Sequence, residues 1–286
     1  MGREAGQART FALLGLALLA APAAAQLPML PGLPAAPYHS YETLTADLQA
    51  LADAHPELAR LQSVGESRLG RAVWALEITD FREAGAELLP SVIVVAGQRG
   101  DAPASVEAAW IFARDLVEDA TPGAADLLRA RHVWVVPLAN PDGHELGART
   151  NAALVDLERN YPFHWAERGA GPQGTPDYPG PGPASEPETR AVMALLDAQR
   201  PSAFVALDGG APALVQPFGH APAEPVPDAA VYGALTAWAR DHASLDARAP
   251  DASGSSLDWA YGAQGLFSAG ISVPAPAALA DGEPAM

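Results

Sequence analysis

Cysteine and lysine are both absent from this chain of 286 residues. Without cysteine there can be no disulfide, no thiolate nucleophile and no sulfur-ligated metal, so histidine, aspartate and glutamate remain as metal ligands. The 17 basic residues are all arginines, and 34 acidic residues outnumber them to give a formal net charge of -17. Long-range repulsion from this charge disfavours nucleic acid and anionic membrane surfaces as partners.

Long apolar runs are also scarce, and the one near the N-terminus is short. Arg3 and Arg9 precede an apolar stretch at residues 11–20, and small residues follow at 21–25. This order is typical of a cleaved secretory signal peptide at residues 1–25. An uncleaved membrane anchor is the alternative, although the apolar run is shorter than the roughly 20 residues that a spanning helix needs. We therefore expect export to the periplasm or the extracellular space.

The Pro-rich residues 26–37 cannot hold a helix, and we interpret them as a linker. The chain is 49% hydrophobic, enough for a substantial core. A single folded domain is expected at residues 38–280, followed by a tail at 281–286.

Continuous apolar runs at residues 91–96 and 132–138 are typical of strands buried on both faces of a sheet. Residues 61–64 and 72–78 predict a β-hairpin. Helical periodicity predicts amphipathic helices at residues 41–54, 105–118, 124–130 and 228–243. The length of 286 residues is enough for one large α/β domain or two small ones.

One more helix has a clear start signal in the sequence. Ser185 is expected to be its N-cap residue, with Pro187 in the first turn and Glu188 at the capping-box position.

Three motifs stand out after the second apolar run. Asn-Pro-Asp-Gly occupies residues 140–143, Val-Asp-Leu-Glu-Arg-Asn occupies 155–160, and Ser-Gly-Ser-Ser-Leu-Asp-Trp-Ala-Tyr occupies 253–261. In an open α/β sheet, sites are built where strands end in such loops. Together the motifs resemble those of the zinc carboxypeptidases of the A and B type, and the resemblance extends over residues 38–272. It implies one domain with a mixed, twisted sheet and helices on both faces.

The resemblance also indicates which residues stand at the family's metal site. Arg99 and Ala102 occupy the positions of the first two zinc ligands, and Asp208 occupies the position of the third. Ser272 stands in place of the glutamate that activates the zinc-bound water. Neither arginine nor alanine can donate a lone pair to a metal at neutral pH. We therefore expect no bound metal, no cofactor and no catalytic base of the family type.

The substrate-binding residues of the family carry over to Arg71, Arg149, Arg159 and Asn160. By the resemblance, Arg149 would polarise a scissile carbonyl and Arg159 would hold a C-terminal carboxylate, which a guanidinium grips in two parallel hydrogen bonds. Glu158 departs from the family's asparagine and is expected to neutralise Arg159 in part. The alternatives are that Arg159 simply pairs with an acid and that Arg71 is a solvated hairpin residue.

The residues that stand at the metal-ligand positions are expected to interact with one another. Arg99 and Asp208 are expected to form an ion pair that occupies the volume of the metal, because a guanidinium can bridge to a carboxylate there. Asp142 is the expected third member, since the family's aspartate at this place orients the first ligand.

These observations lead to a function hypothesis with alternatives. The leading one is a catalytically inactive metallocarboxypeptidase homologue that binds peptides or other carboxylate-bearing ligands. One alternative is an active zinc carboxypeptidase that cleaves C-terminal residues from peptides. Another is an interaction or scaffold domain, or a decaying gene. The sequence does not predict an oligomeric state.

Overall fold

The fold is described by a computed structural model that covers residues 38–118 and 122–274. The predicted signal peptide, the linker and the tail lie outside the described residues. No helix within those two ranges is long and apolar enough to cross a bilayer.

Eight strands form one mixed sheet. The strands are β1 (Ala59–Glu66), β2 (Ala72–Ile78), β3 (Ser91–Val95), β4 (His132–Val136), β5 (Ala203–Gly209), β6 (Ala213–Val215), β7 (Ala247–Arg248) and β8 (Phe267–Val273). Their order across the sheet is β1-β2-β4-β3-β5-β8-β6-β7. The four central strands, β4, β3, β5 and β8, run parallel, while β1 and β2 form the predicted antiparallel hairpin and β6 is antiparallel to β8.

Helices cover both faces of this sheet, as expected. The helices are α1 (Tyr41–Ala54), α2 (Pro103–Glu118), α3 (Pro122–Ala130), α4 (Pro141–Leu146), α5 (Pro187–Gln199), α6 (Ala229–Ala243) and α7 (Ser256–Gly262). Strand β3 is buried along its whole length, and its alternate residues point to opposite faces. Val94 packs with α1 and α2 on one face, whereas Ile93 and Val95 pack with α5 and α7 on the other.

The start of α5 differs from the prediction. Its N-cap residue is Glu186, without a side-chain cap, and helix residues begin at Pro187. The Ser185 hydroxyl is not free to cap because it donates to the Glu186 carboxylate and accepts from the Asn160 amide. Glu188 does not close a capping box either, since its carboxylate accepts from the Arg68 backbone N–H. Tertiary partners therefore override the local capping signal.

The loops at the carboxyl edge of the sheet are held together by very close backbone contacts. The Asn140 side chain caps α4 through the Gly143 N–H and donates to the Gln98 carbonyl in the loop after β3. A Cβ atom at Gly100 would lie 2.1 Å from the Gly143 carbonyl carbon, so only glycine fits there. This packing fixes the loop after β3 against α4.

We predict that Gly100→Ala lowers the free energy of unfolding by about 2 kcal/mol or more, because an added methyl group forces the two backbones apart. Gly182→Ala is the matched control, since a Cβ atom there meets nothing within 4 Å. Urea unfolding followed by circular dichroism measures both. Equal stability of the two variants would show that the loops tolerate separation.

Candidate functional site

The residues at the four positions singled out by the metal-site resemblance lie together at the carboxyl edge of the sheet. Asp208 and Ser272 are register partners on β5 and β8. Arg99, in the loop after β3, donates from Nη1 to the Gly209 carbonyl at 3.2 Å. Ala102 packs against Gly209, where a Cβ atom would lie 2.6 Å from the alanine methyl. The ends of three parallel strands thus converge on one small region.

Arg99 and Asp208 form the predicted ion pair. Arg99 Nη1 lies 3.6 Å from Asp208 Oδ2, and Nε and Nη2 each donate to the Asp101 carboxylate at 3.1 Å. Burial raises the pKa of Asp208, and the neighbouring guanidinium opposes that rise. Arg99 therefore sits between two acids, and Asp101 is a member of this cluster that the ion-pair hypothesis did not include.

Asp142 does not join this cluster, so that part of the hypothesis is wrong. Its carboxylate accepts from the Ser67 hydroxyl at 3.0 Å, from the Leu69 backbone N–H at 2.9 Å and from Arg71 Nη1 at 2.6 Å. These donors come from the β1–β2 hairpin, which docks onto α4 and captures the acid. Arg71, a predicted substrate-binding residue, is thereby engaged with a carboxylate of the protein.

Two other predicted binding residues share one counterion. Arg149 Nε and Arg159 Nε both donate to Asp156 Oδ2, at 2.8 and 3.0 Å, and the Asp156 carboxylate is fully buried. Arg159 Nη1 also donates to the Gly169 carbonyl. Within the described residues, neither Arg149 Nη1 nor Arg159 Nη2 donates a hydrogen bond. Each guanidinium thus keeps an unused terminal nitrogen.

Arg159 pairs with Asp156 and not with Glu158, in agreement with the alternative that it pairs with an acid of the protein. Glu158 Oε1 accepts from the Ser256 hydroxyl at 2.6 Å and from the Gln98 side-chain amide. Desolvation raises the pKa of Glu158 to about 8, and the nearby carboxylates of Asp208 and Asp156 act in the same direction. The side chain is therefore mostly uncharged at neutral pH and does not neutralise Arg159.

Asn160 is placed in the interior of the protein. Its amide nitrogen donates to the Pro179 carbonyl at 2.8 Å and to the Ser185 hydroxyl at 2.9 Å, and its oxygen accepts from the Glu186 N–H. The side chain holds the loop that leads to α5, and the residue is fully buried.

Arg248 is a site residue that sequence reasoning missed. Its Nη2 donates to the Ser272 hydroxyl at 2.8 Å. It lies on the two-residue strand β7, which has no periodicity that could have indicated its place.

Among residues 38–118 and 122–274, no three His, Asp or Glu side chains are arranged so that they could hold a metal ion.

Comparisons with known proteins agree with the motifs. A family profile described as zinc carboxypeptidase matches residues 44–278. Human carboxypeptidase D is 29% identical over 193 residues, which are 63% of this chain and 13% of that protein. Zinc carboxypeptidase A 1 from Anopheles gambiae is 30% identical over 259 residues, 79% of this chain and 57% of that protein. The chain thus spans less than two thirds of either relative.

Solved structures show the same fold. Carboxypeptidase A from Helicoverpa armigera has a TM-score of 0.74 at 22% identity. The match covers 97% of this chain and 74% of the Helicoverpa chain. A metallo-carboxypeptidase from Burkholderia cenocepacia has a TM-score of 0.62 at 21% identity, over 83% of this chain and 60% of that one. At these identities the likeness concerns the fold alone.

We predict that Arg71→Ala lowers the free energy of unfolding by about 3 kcal/mol, because it leaves the buried Asp142 carboxylate without its charged partner. Arg129→Ala is the control, since Arg129 forms an exposed pair with Asp126 on α3 and such pairs contribute about 0.5 kcal/mol or less. Chemical denaturation measures both. Equal effects would mean that Arg71 has no structural role.

The raised pKa of Glu158 leads to a second prediction, which concerns how stability depends on pH. Because the folded state holds a proton that the unfolded state releases near the ordinary pKa of 4.5, wild-type stability should fall as pH rises from 4.5 towards about 8. Glu158→Gln has no such proton to lose, so the variant should gain up to about 3 kcal/mol over wild type between about pH 4.5 and pH 7. Unfolding curves across this range measure the gain.

Glu224→Gln, in an exposed loop, is the matched control and should show no such gain. A constant stability difference between wild type and Glu158→Gln at every pH would contradict the raised pKa.

Proposed function

Because the chain belongs to the zinc carboxypeptidase family, we propose that it is a family member in which an arginine-centred ion pair has replaced the zinc. In this proposal the protein binds carboxylate-bearing ligands, such as peptides with a free C-terminus, without hydrolysing them. The observation that carries it is the 3.6 Å contact between Arg99 and Asp208.

The residues at the metal positions do not fit a zinc ion. A catalytic zinc needs three protein ligands with lone pairs, arranged around an open position for water. The Arg99 guanidinium has no lone pair to give and brings a permanent positive charge to this place. Ala102 has no donor atom, which leaves Asp208 as one oxygen ligand of the three required. One carboxylate alone does not hold the ion.

The position of the catalytic base supports the same proposal. Peptide hydrolysis by a bound water needs a group that takes the water's proton at neutral pH. Ser272 offers a hydroxyl, and that hydroxyl already accepts a hydrogen bond from Arg248. A guanidinium beside a hydroxyl does not make it a proton acceptor, so Ser272 does not replace the glutamate as general base.

Ligand binding is supported by the two arginines that share Asp156. Two guanidinium groups share one buried carboxylate, and Asp177 is an exposed acid near both of them. The unused nitrogens of Arg149 and Arg159 suit a carboxylate, whose two oxygens accept parallel hydrogen bonds. Arg71, which the sequence analysis also predicted to bind ligand, is paired with Asp142 and instead holds the β1–β2 hairpin against α4.

Export remains part of the proposal and rests on the N-terminal sequence. Arg3 and Arg9, the apolar run after them and the small residues at 21–25 support a signal peptide. A periplasmic or extracellular protein of this kind would meet free peptides there.

We predict that the purified protein, equilibrated with excess zinc and then desalted, retains far less than one zinc ion per chain by elemental analysis. The triple variant Arg99→His, Ala102→Glu, Asp208→His is the positive control, because it supplies three ligands of the zinc-binding type. Near-stoichiometric zinc in the wild-type protein would contradict the proposal and favour an active zinc carboxypeptidase.

The binding half of the proposal has its own test. Arg159→Ala should weaken the binding of N-acetyl-L-phenylalanine about tenfold or more in calorimetry, because a hydrogen bond to a charged group contributes about 1.5–3 kcal/mol. Arg240→Ala, an exposed arginine on α6, should leave the affinity unchanged. Equal affinities of the two variants would place the binding site elsewhere.

A further inference from the structure

His39 lies at the start of the folded domain and contacts carboxylates on two helices. Its ring nitrogen Nδ1 lies 2.8 and 2.9 Å from the two oxygens of Glu107 on α2, and Nε2 lies 2.9 Å from Asp47 Oδ2 on α1. The His39 backbone N–H also donates to Glu107 Oε1, at 2.7 Å. One residue thus joins the chain ahead of α1 to both helices.

The two ring nitrogens of His39 both act as donors in this arrangement. A neutral imidazole carries only one N–H, so its other nitrogen would turn a lone pair towards an oxygen that also has lone pairs to give. With a carboxylate at each end of the ring, the imidazolium form satisfies Glu107 and Asp47 together. The geometry therefore favours a proton on each nitrogen.

The surroundings of the ring determine how firmly it holds the second proton. Desolvation lowers the pKa of His39, whereas the hydrogen bonds to Asp47 and Glu107 and their charges raise it, and the balance lies above the ordinary value of 6.5. The Glu107 side chain is almost fully buried, and Trp110 on the same helix lies edge-on to the imidazole. The contact with Glu107 is therefore shielded from water.

We propose that His39 is a pH-dependent bridge between the start of the domain, α1 and α2. The protonated ring joins Glu107 to Asp47. When one proton passes to solvent, a lone pair faces one of the two carboxylates and the bridge breaks. Glu107 lies about one turn after Pro103, where α2 begins directly behind the loop that carries Arg99, so the bridge holds the helix that follows the candidate site. This inference concerns the free protein and is independent of ligand binding.

The sign of the pH dependence follows from the raised pKa of His39. A group that holds its proton more tightly in the closed state stabilises that state at low pH and loses this effect as pH rises. The bridge is therefore complete below about pH 6.5, the ordinary value of a released histidine, and is lost as pH rises through the higher value of the closed state. The start of the domain should open more readily in alkaline solution.

Other titratable groups face this segment, and they leave the direction of the effect unchanged. His144 on α4 donates from Nε2 to the His39 carbonyl at 2.8 Å, which a neutral ring and an imidazolium can both do. Glu145, also on α4, accepts from the Tyr41 N–H at 2.8 Å. Burial and a neighbouring carboxylate raise the pKa of Tyr38, so its phenol stays uncharged. The contacts with α4 thus persist when His39 loses its proton.

Hydrogen exchange, followed by mass spectrometry on a peptide that spans residues 38–48, tests the opening. After correction for the intrinsic exchange rate, the wild-type segment should open about tenfold more at about pH 9 than at about pH 6, because charged hydrogen bonds are lost. His39→Arg keeps its charge and its donors at both pH values, so its opening should stay level. A level wild-type value, or an equal rise in both proteins, would overturn the inference.

Proton–carbon NMR of the histidine rings follows the same proton directly. The His39 signal, assigned by its loss in His39→Gln, should titrate with a midpoint above 6.5. Asp47→Asn should shift this midpoint downward, whereas Asp53→Asn, at an exposed acid on the same helix, should leave it unchanged. A wild-type midpoint at or below 6.5, or equal midpoints in the two aspartate variants, would overturn the inference.

Discussion

The proposed function depends on the contact between Arg99 and Asp208 at the carboxyl edge of the sheet. A guanidinium within 3.6 Å of Asp208 and 3.2 Å of the Gly209 carbonyl brings a permanent positive charge to the point where β3 and β5 end. That charge lies between the carboxylates of Asp208 and Asp101, and the guanidinium has no lone pair to give to a metal ion. The pair is partly exposed and partly desolvated, so its net contribution to stability is small. In the proposed function its consequence is chemical, because the edge then binds a carboxylate and no metal ion.

Two further acids, Asp156 and Glu158, lie at this edge of the sheet. Asp156 is shared by two arginines, which leaves part of each guanidinium unused. Glu158 is kept neutral by desolvation and by neighbouring acids, and its hydrogen bonds to Gln98 and Ser256 hold it in place. The site therefore combines the fixed positive charges of the arginines with a largely neutral acid. In the proposed function the site binds a carboxylate, whereas hydrolysis would need a nucleophile and a base.

Much of the fold could be predicted because its signals are local. The β-branched run at β3 and the apolar run at β4 mark buried strands, and the motifs after them mark the edge where the site lies. The ion pair between Arg99 and Asp208 was predictable because the resemblance put both residues around one point. Three features were not predictable, since each depends on tertiary docking. Asp142 is captured by the hairpin, Ser185 is occupied by Asn160, and Arg248 reaches Ser272 from a two-residue strand.

The most direct test of the replacement is a crystal structure of the protein soaked in zinc, with anomalous diffraction recorded at the zinc absorption edge. The account predicts that Arg99 lies within ion-pair distance of Asp208 and that no anomalous peak appears beside that carboxylate. A strong peak bound to Asp208, with Arg99 turned away from it, would contradict the account.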